Sequence, residues 1–256
     1  MKKFTNALML GAISIATIVA MSSCGGDKEP EMTICPIEKE LHFTDTTILK
    51  VAGAPEGVEV TYETSNEWVT LLSGDTLTAW HIGEAVITAT AGDKKATYIV
   101  KVTANPKYNV ATEPKLDCWG ISSAELKTKM GTDPFQDQVK NGTGSIFYLQ
   151  NAGTATYEAY AFEGDKLTSC ALQVQKVSNE VVAAYNYFLR ERYVRVTVQG
   201  DEQGTYFANA LDVNATTILL QLVERQSTLT VIYVPYSHQS NAPALMPAKK
   251  GFSLFF

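Results

Sequence analysis

The stretch Ile121-Ser122-Ser123-Ala124-Glu125-Leu126 decides the fold of the C-terminal half, because it carries a complete helix start. The hydroxyl of Ser122 can accept a hydrogen bond from the backbone amide of Glu125, whose side chain can reach back to Ser122. Gly131 and Pro134 follow where a helix would end, since glycine takes the left-handed cap and proline cannot continue the helix. The sequence therefore predicts a short helix that begins after Ser122 and ends at Gly131.

Strand-like segments follow this helix, and the same order of elements then occurs a second time. Ser178 can begin a second helix, in which apolar residues at helical spacing form one stripe of Val181, Tyr185, Phe188 and Leu189. The segments rich in β-branched and aromatic residues lie at 145–150, 154–162, 167–175, 193–199, 206–211, 216–223 and 228–236. Two copies of a helix followed by strands predict a two-layer α+β domain over 106–237, an antiparallel sheet with both helices on one face.

Three short sequence words occur in the first of these units: Gly120-Ile121-Ser122, Glu125-Leu126-Lys127 and Met130-Gly131. Together with the order of elements, an αβββ repeat, they resemble the helix-and-hairpin units of the β-lactamase inhibitor protein and of small outer-membrane assembly lipoproteins. The resemblance implies a fold for residues 106–237 and carries no inhibitory activity with it.

The N-terminal part, residues 33–104, reads as short strands separated by turns. Segments rich in Val, Ile, Thr and Tyr lie at 46–51, 58–63, 85–91 and 96–103, and glycine-containing turns interrupt them. Turn signals at this spacing predict a small all-β sandwich. Asn105-Pro106-Lys107 then marks a linker, because proline removes a strand donor and its neighbours are polar.

Several words in this region match one known family. They are Val60-Thr61-Tyr62, Ser65-Asn66, Val69-Thr70, Gly83 and Val86-Ile87-Thr88-Ala89-Thr90. In this order they resemble the group 2 bacterial immunoglobulin-like domain over about 70 residues of the chain. Tyr62 stands where the family often has Trp, and Asp45 replaces a usual Gly. The resemblance implies an immunoglobulin-like sandwich that serves as a spacer or an adhesive module, and no chemistry.

The chain begins with Lys2 and Lys3, continues with an uncharged apolar run over 7–20, and reaches Ala20-Met21-Ser22-Ser23-Cys24. The run is shorter than the about 20 apolar residues of a spanning helix, and its layout is that of a secretory signal. Residues 1–23 resemble a bacterial lipoprotein signal peptide, which implies cleavage before Cys24 and a lipid on its sulfur. The implied location is the outer membrane, with the protein lipid-anchored and facing the periplasm or the cell surface.

Two further segments flank the predicted domains. Residues 24–32 are mostly polar and predict a flexible tether. Residues 238–256 form a tail whose end, Phe252-Ser253-Leu254-Phe255-Phe256, is apolar. An apolar terminus indicates either docking onto the sheet or pairing with a partner.

Composition and motifs weigh against several classes of function. The formal net charge is −6 and no Lys or Arg cluster occurs, which excludes nucleic acid as a partner. The three histidines, His42, His81 and His238, lack metal-ligand spacing and are expected at the surface. No nucleophile motif is present, so we expect no enzyme activity and no cofactor.

Cysteine pairing stays open at this point. With Cys24 lipidated, Cys35, Cys118 and Cys170 are left, so at most one internal pair can form. Cys118 and Cys170 lie in the same predicted domain and are the first candidates for a disulfide. The alternative is that both are small buried apolar residues.

Aromatic residues are the remaining candidates for a binding site. Six side chains are candidates for an exposed platform: Tyr157, Tyr160, Tyr206, Tyr233, Tyr236 and Trp68. Tyrosine offers a large contact area with a polar tip and is common at interfaces. The alternative is ordinary packing under the helices. Alternation alone leaves the choice of face open, because Tyr157 and Tyr160 have opposite parity along one strand.

The sequence thus favours a non-enzymatic envelope or cell-surface lipoprotein: a spacer followed by a binding module for an envelope or extracellular protein. The alternative is a carbohydrate-binding accessory lipoprotein of a surface glycan-uptake system. Exposed, flat rings at Trp68, Trp80 or Trp119 would favour that alternative. A third possibility is an inhibitor of an external enzyme.

Overall fold

The structure is a computed structural model that describes residues 30–37, 40–150, 153–175, 178–237 and 245–247. The predicted signal peptide, Cys24, His238 and the apolar terminus 252–256 lie outside the described residues.

The fold is rich in antiparallel β-sheet, and its N-terminal part is built from eight strands within the described range. They are β1 (Thr33–Ile34), β2 (Thr46–Ile48), β3 (Val51–Ala52), β4 (Thr61–Thr64), β5 (Thr70–Ser73), β6 (Thr76–Ala79), β7 (Gly83–Ala91) and β8 (Lys94–Val102). They pair as β1-β3, β2-β6-β5 and β4-β7-β8.

Strict alternation along β7 explains how this part makes its core. Ala85, Ile87, Ala89 and Ala91 point inward and are buried. Residues of period two lie on one face of a strand, so this face packs against the facing sheet. Leu77 of β6 belongs to the same buried cluster, so strands from the two three-stranded sheets share one core.

The C-terminal part contains two α-helices and nine strands among the described residues. They are α1 (Ser123–Met130), β9 (Gln136–Asp137), β10 (Gly144–Leu149), β11 (Tyr157–Glu163), β12 (Lys166–Gln175), α2 (Asn179–Arg190), β13 (Val194–Val198), β14 (Asp201–Ala208), β15 (Ile218–Arg225), β16 (Thr228–Pro235) and β17 (Leu245–Pro247). The strands form one sheet in the order β17-β13-β14-β15-β16-β12-β11-β10-β9.

Helix α1 has the ends that the sequence predicts. The Ser122 hydroxyl accepts from the backbone amide of Glu125, and the Glu125 carboxylate accepts from the backbone amide of Ser122 at 2.8 Å. Gly131 caps the other end with φ 67°, a conformation that favours glycine. Asp165, in the tight turn between β11 and β12, accepts from both the amide and the hydroxyl of Ser123 and so fixes the helix to that hairpin.

Helix α2 buries the predicted apolar stripe. Tyr185, Phe188 and Leu189 are buried and Val181 is half-buried. Ser178 occupies the N-cap position, but its side chain makes no capping hydrogen bond. The helix is therefore held by packing of its apolar face, the usual source of helix stability in proteins.

The main core lies between the helices and one face of the nine-stranded sheet. Leu126 of α1 and Phe188 of α2 belong to one buried cluster with side chains from β10, β11, β12, β14, β15 and β16. The last long strand of each half, β12 and β16, pair in the middle of the sheet. The predicted strand 206–211 differs in its bounds: β14 begins at Asp201, directly after the turn at Gly200.

The N-terminal strands and helix α2 meet at a junction with specific hydrogen bonds. The hydroxyl of Tyr187 donates to the carbonyl of Phe43 at 2.8 Å, and the amide of Ile82 donates to the carbonyl of Glu191 at 2.9 Å. The amide of Asn105, in the predicted linker, donates to a carboxylate oxygen of Glu191 at 3.1 Å. These contacts couple the two parts directly.

Candidate binding face

Two neighbouring rows of side chains cross the large sheet and face opposite ways, because successive residues of a strand alternate between faces. One row faces the helices. It consists of side chains that lie side by side in register and are at most 1% exposed, Ile146, Tyr160, Cys170, Tyr233, Leu220 and Phe207. We call it the core row.

The adjacent row faces away from the helices and is called the open row. Its members are uncharged and, except for the buried Val196, half-buried: Phe147, Ala159, Ala171, Ile232, Gln221, Tyr206 and Val196. The row crosses seven consecutive strands without a charged side chain. Because the centre of protein interfaces is depleted in charge, this face has the composition of a docking surface.

The structure divides the predicted tyrosines between these faces. Tyr160 and Tyr233 lie in the core row with no exposure, so the prediction that they belong to an exposed platform is wrong. Tyr236 is 8% exposed and belongs to a separate buried cluster, which removes it as well. Tyr157 and Tyr206 lie on the open side of the sheet, where both are half-buried.

An aromatic group stands at the β9 end of this face and is called the edge cluster. Phe135 lies parallel to Tyr157 with ring centroids 6.2 Å apart, and Phe147 meets Tyr157 edge-on at 5.8 Å. Leu149 is the register partner of Tyr157. Phe135 is 59% exposed and Leu149 is 56% exposed, so two large apolar side chains that neighbour Tyr157 are exposed to solvent.

The polar tips of the two exposed-side tyrosines are held by neighbours. Gln175 donates to the hydroxyl of Tyr157 at 3.0 Å. The hydroxyl of Tyr206 donates to Asp201 at 2.6 Å and accepts from Gln221 at 2.9 Å. The bond to Asp201 raises the pKa of Tyr206 above its ordinary value, and partial burial adds to the increase. These hydrogen bonds hold both rings in place.

The three tryptophans are all half-buried. Trp68 stacks on His81 with ring centroids 3.9 Å apart, so one of its faces is already occupied. The ring centroids of Trp80 and Phe43 are 5.4 Å apart, and Trp119 packs against the main core. Trp68, the predicted binding residue of the N-terminal part, therefore belongs to an internal aromatic stack.

His81 lies in the interior, so its expected surface position is wrong: it is 1% exposed. Its Nδ1 atom lies 2.7 Å from the carbonyl of Trp68, while Nε2 has no hydrogen-bond partner among the described residues. Burial lowers the pKa of His81 to about 4, although the backbone carbonyls of Trp68 and Tyr193 oppose the change. The ring is therefore neutral at pH 7.

A buried polar group lies beside the junction. The hydroxyl of Tyr193 donates to Glu113 at 2.6 Å, and Arg192 lies 3.5 Å from the other oxygen of Glu113. Arg192 also pairs with the fully buried carboxylate of Glu191 and donates to the carbonyl of Phe188. Burial raises the pKa of Glu113, while Tyr193 and Arg192 lower it. Each of these charged groups is satisfied internally, which is typical of a structural network.

The candidate disulfide between Cys118 and Cys170 is not formed, since both thiols are free and buried. Burial raises the pKa of each thiol, and the Cys118 thiol donates to the carbonyl of Lys115. A buried thiol with a raised pKa behaves as a small apolar residue and is unreactive. Packing rather than cross-linking accounts for both cysteines here.

Sequence reasoning did not single out Phe135, Phe147, Leu149 or Ile232 as members of this face. Phe147 and Leu149 alternate with the buried Ile146 and Tyr148, a period-two signal that could have placed them outside. Phe135 gives no such signal, because it stands in a loop before a two-residue strand.

Two features are absent from the described residues. No group of three or more His, Cys, Asp or Glu side chains in this part of the chain is arranged to hold a metal ion. None of its helices is long and apolar enough to cross a membrane.

Comparisons with known proteins complete the description. No family model matches the chain, and no curated protein matches it. Among solved structures it is similar to the crystal structure of the S-layer protein SbsC domains 4 and 5, with 14% identity and a TM-score of 0.25. That match covers 85% of this chain and 96% of the other. A similarity of this degree does not establish a shared fold.

Proposed function

We propose that this chain is a non-enzymatic lipoprotein of the outer envelope that binds a protein partner through the open row and the edge cluster. Cys24 is the proposed lipid attachment site and holds the protein in the outer membrane. One observation carries the binding proposal: an uncharged row of side chains across the sheet ends in exposed, pre-positioned aromatic and apolar side chains. Such a composition is typical of the desolvated centre of a protein interface.

The two parts of the chain have different proposed tasks. Residues 33–104 are proposed to be a group 2 bacterial immunoglobulin-like sandwich that serves as a spacer. Two three-stranded antiparallel sheets that contribute to one core support this assignment. Residues 106–237 are proposed to be the α+β binding module, and the burial of both helices in one cluster with the sheet supports it.

A protein is the favoured partner over a glycan because of the tryptophans. Sugar stacking requires a flat ring with a free face, whereas Trp68 has one face on His81 and Trp119 packs against the core. The edge cluster instead joins two stacked rings to a branched aliphatic side chain at Leu149. This mixed apolar surface suits the side chains of a protein partner.

The bonding of three buried or half-buried carboxyl groups supports a non-enzymatic role. Glu158 has a raised pKa because of burial, but it accepts a 2.9 Å hydrogen bond from the buried Tyr160. Glu113 and Glu191 are likewise engaged by Tyr193 and Arg192. A catalytic acid or base must be free to reach a substrate, and these three carboxyl groups are engaged by neighbouring side chains.

The test is cross-linking capture of the full-length lipoprotein from its native cells, followed by mass spectrometry. The test variant combines Phe135→Ser with Leu149→Ser. Capture of the partner should fall at least about tenfold, because central apolar contacts dominate the free energy of binding.

The matched control combines Ile48→Ser with Ile99→Ser. These side chains are 61% and 65% exposed, so the control removes as much exposed apolar surface from the N-terminal part. A protein that the wild type and the control capture and the test variant loses would support the proposal. Equal capture by the test variant, or recovery of no protein, would contradict it, and a glycan array would then test the carbohydrate alternative.

A further inference from the structure

Two exposed arginines next to the C-terminal end of helix α2 have no acidic partner. Arg190 and Arg195, called the arginine pair, form no ion pair and no side-chain hydrogen bond with any residue that the structure describes. Arg192, which lies between them in the chain, pairs with Glu191 and lies 3.5 Å from Glu113. These two carboxylates compensate Arg192 and leave the charges of the arginine pair uncompensated.

The register of β13 places Arg195 at the end of the core row. Arg195 stands opposite Phe207, a member of that row, so its side chain leaves the sheet on the face that carries the helices. The backbone amide of Tyr193, the residue before β13, donates to the carbonyl of Leu189 in α2 at 2.7 Å. Arg195 therefore lies close to the end of α2 and opposite the open face of the sheet, which carries the open row.

Arg190 is the last residue of α2, and an aromatic contact orients its guanidinium group. The Cζ atom of Arg190 lies 5.2 Å from the ring centroid of Phe43. A cation–π contact of this kind restricts the planar group. Partial burial lowers the pKa of Arg190, and the charge of Arg195 lowers it further. The two guanidinium groups are therefore close enough to repel each other.

The carbonyls at the end of α2 do not account for the arginine pair. A helix C-terminus attracts cations because its last carbonyls lack intrahelical partners. Here the carbonyl of Leu189 accepts a hydrogen bond from the amide of Tyr193, and the helix end needs no further cation at that atom. The carbonyl of Phe188 accepts a hydrogen bond from the guanidinium of Arg192 at 3.0 Å. The donors of the arginine pair stay available for another group.

Two adjacent, uncompensated guanidinium groups have the chemistry of a site for a small anion. Each guanidinium presents its N–H donors as a fork that matches the oxygens of a phosphate or a carboxylate. A carboxylate has two oxygens, which one fork can occupy. A phosphate monoester has three terminal oxygens and a charge of about −2 at pH 7, so it can accept from both arginines and compensate both charges.

We propose that Arg190 and Arg195 form a binding site for a single phosphate group, either free inorganic phosphate or a phosphate ester such as a lipid headgroup. Two charges suit one such group and are far fewer than the about 6–10 phosphate contacts of a nucleic-acid site. The site shares no residue with the open row or the edge cluster. This inference therefore does not depend on the partner proposed above.

The experiment is isothermal titration calorimetry of the full-length protein in micelles of a neutral detergent at low salt. Inorganic phosphate and glycerol phosphate, a soluble piece of a lipid headgroup, are titrated separately. We expect saturable binding of one phosphate per chain. Similar affinities for the two probes would assign the site to the free phosphate group, and tighter binding of glycerol phosphate would assign it to an ester. Acetate tests the carboxylate alternative and should bind more weakly than either probe.

Substitutions of single arginines locate the binding. Arg195→Gln should weaken phosphate binding about tenfold or more, because a charge-assisted contact is lost. Arg195→Lys keeps the charge without the fork and should restore only part of the affinity. Arg225→Gln is the matched control: it removes the same charge from an exposed arginine at the end of β15 and should leave the affinity unchanged.

The proposal is overturned by the absence of saturable binding of both phosphate probes, by acetate binding as tightly as phosphate, or by equal effects of Arg195→Gln and Arg225→Gln. Such a result would not affect the capture experiment, which depends on the edge cluster.

Discussion

The edge cluster and the aromatic side chains of the junction are similar in composition and opposite in surroundings. In the junction, Tyr187 stacks on Tyr108 with ring centroids 3.8 Å apart and meets Phe43 edge-on with ring centroids 5.4 Å apart. Its hydroxyl also donates a hydrogen bond to the carbonyl of Phe43. In the edge cluster, Phe135 has one parallel neighbour, Tyr157, and is 59% exposed. Enclosed rings stabilise the fold, whereas exposed rings are available for binding.

This comparison separates stability from function. Substitutions in the junction should lower the free energy of unfolding and affect binding only through folding. Substitutions in the edge cluster should affect binding and leave the free energy of unfolding nearly unchanged. The following predictions run from the largest expected effect to the smallest.

Glu191→Ala should lower the free energy of unfolding by about 3–5 kcal/mol, the range for breaking a buried ion pair. The Glu191 carboxylate is fully buried, pairs with Arg192 and accepts from the amide of Asn105. Urea denaturation followed by circular dichroism measures the loss.

Glu84→Ala is the matched control, because Glu84 forms an exposed ion pair with Lys101 at 3.9 Å. This substitution should lower the free energy of unfolding by less than about 1 kcal/mol. Equal losses for the two variants would show that the junction does not stabilise the fold as described.

Acidification should weaken the fold through His81 by up to about 3 kcal/mol. The pKa of His81 is about 4 in the folded chain against 6.5 in the unfolded chain. As the pH falls, the unfolded chain therefore binds the proton first. The contribution of neutral His81 to the free energy of unfolding is complete above pH 6.5. It declines between pH 6.5 and pH 4 and does not change further below pH 4.

The measurement is urea denaturation at several pH values for the wild type and for His81→Asn, whose amide can replace the Nδ1 donor. The difference between the two curves of unfolding free energy against pH isolates the contribution of His81. Carboxyl groups such as Glu113 contribute equally to both curves, and the raised pKa of Glu113 makes acidification stabilise the folded chain. Parallel curves between pH 4 and 6.5 would contradict the assignment of a buried neutral ring.

Tyr187→Phe should lower the free energy of unfolding by about 1 kcal/mol, since it removes one hydrogen bond and keeps the ring. The lost partner is the carbonyl of Phe43, a residue that is itself buried. Thermal denaturation detects the change as a lower midpoint.

Tyr206→Phe is the counterpart on the open face, where the hydroxyl bonds to the exposed Asp201. Its loss should be smaller than that of Tyr187→Phe, because water can replace the bond. A larger loss of unfolding free energy in Tyr206→Phe than in Tyr187→Phe would contradict the distinction between the junction and the open face.

Phe135→Ala should change the free energy of unfolding by less than about 0.5 kcal/mol, as is usual for surface positions. Its ring loses one stacked neighbour and little buried area. Urea denaturation measures the effect, and a loss above about 2 kcal/mol would show that the edge cluster belongs to the core.

Local features of the fold were predictable because their causes lie within a few residues. The capping box at Ser122 and Glu125, the left-handed Gly131 and the Glu163–Lys166 turn are confirmed. In that turn Asp165 has φ 55°, as the tight hairpin loop requires. The buried stripe of α2 is confirmed for the same reason, since the helical repeat alone places its members on one face.

Other features depended on what packs against each face. Tyr160 and Tyr206 are both tyrosines within long strands. Tyr160 nevertheless lies in the core row and Tyr206 in the open row. A shift of one residue in register exchanges the faces of a whole strand. The burial of His81 likewise depends on distant contacts, because its ring stacks on Trp68 and the backbone of Tyr193, from the C-terminal part, lies beside it.

The sequence by itself determined the helix ends, the hairpin turns, the β-rich character and the apolar C-terminus, since caps, turns and periodicity act over short distances. Only the tertiary structure decided which tyrosines are buried, that Cys118 and Cys170 are free buried thiols, and where exposed apolar side chains lie. The physical reason is that burial depends on register and on contacts between residues far apart in the chain, such as Phe43 and Tyr187. No local pattern records these contacts.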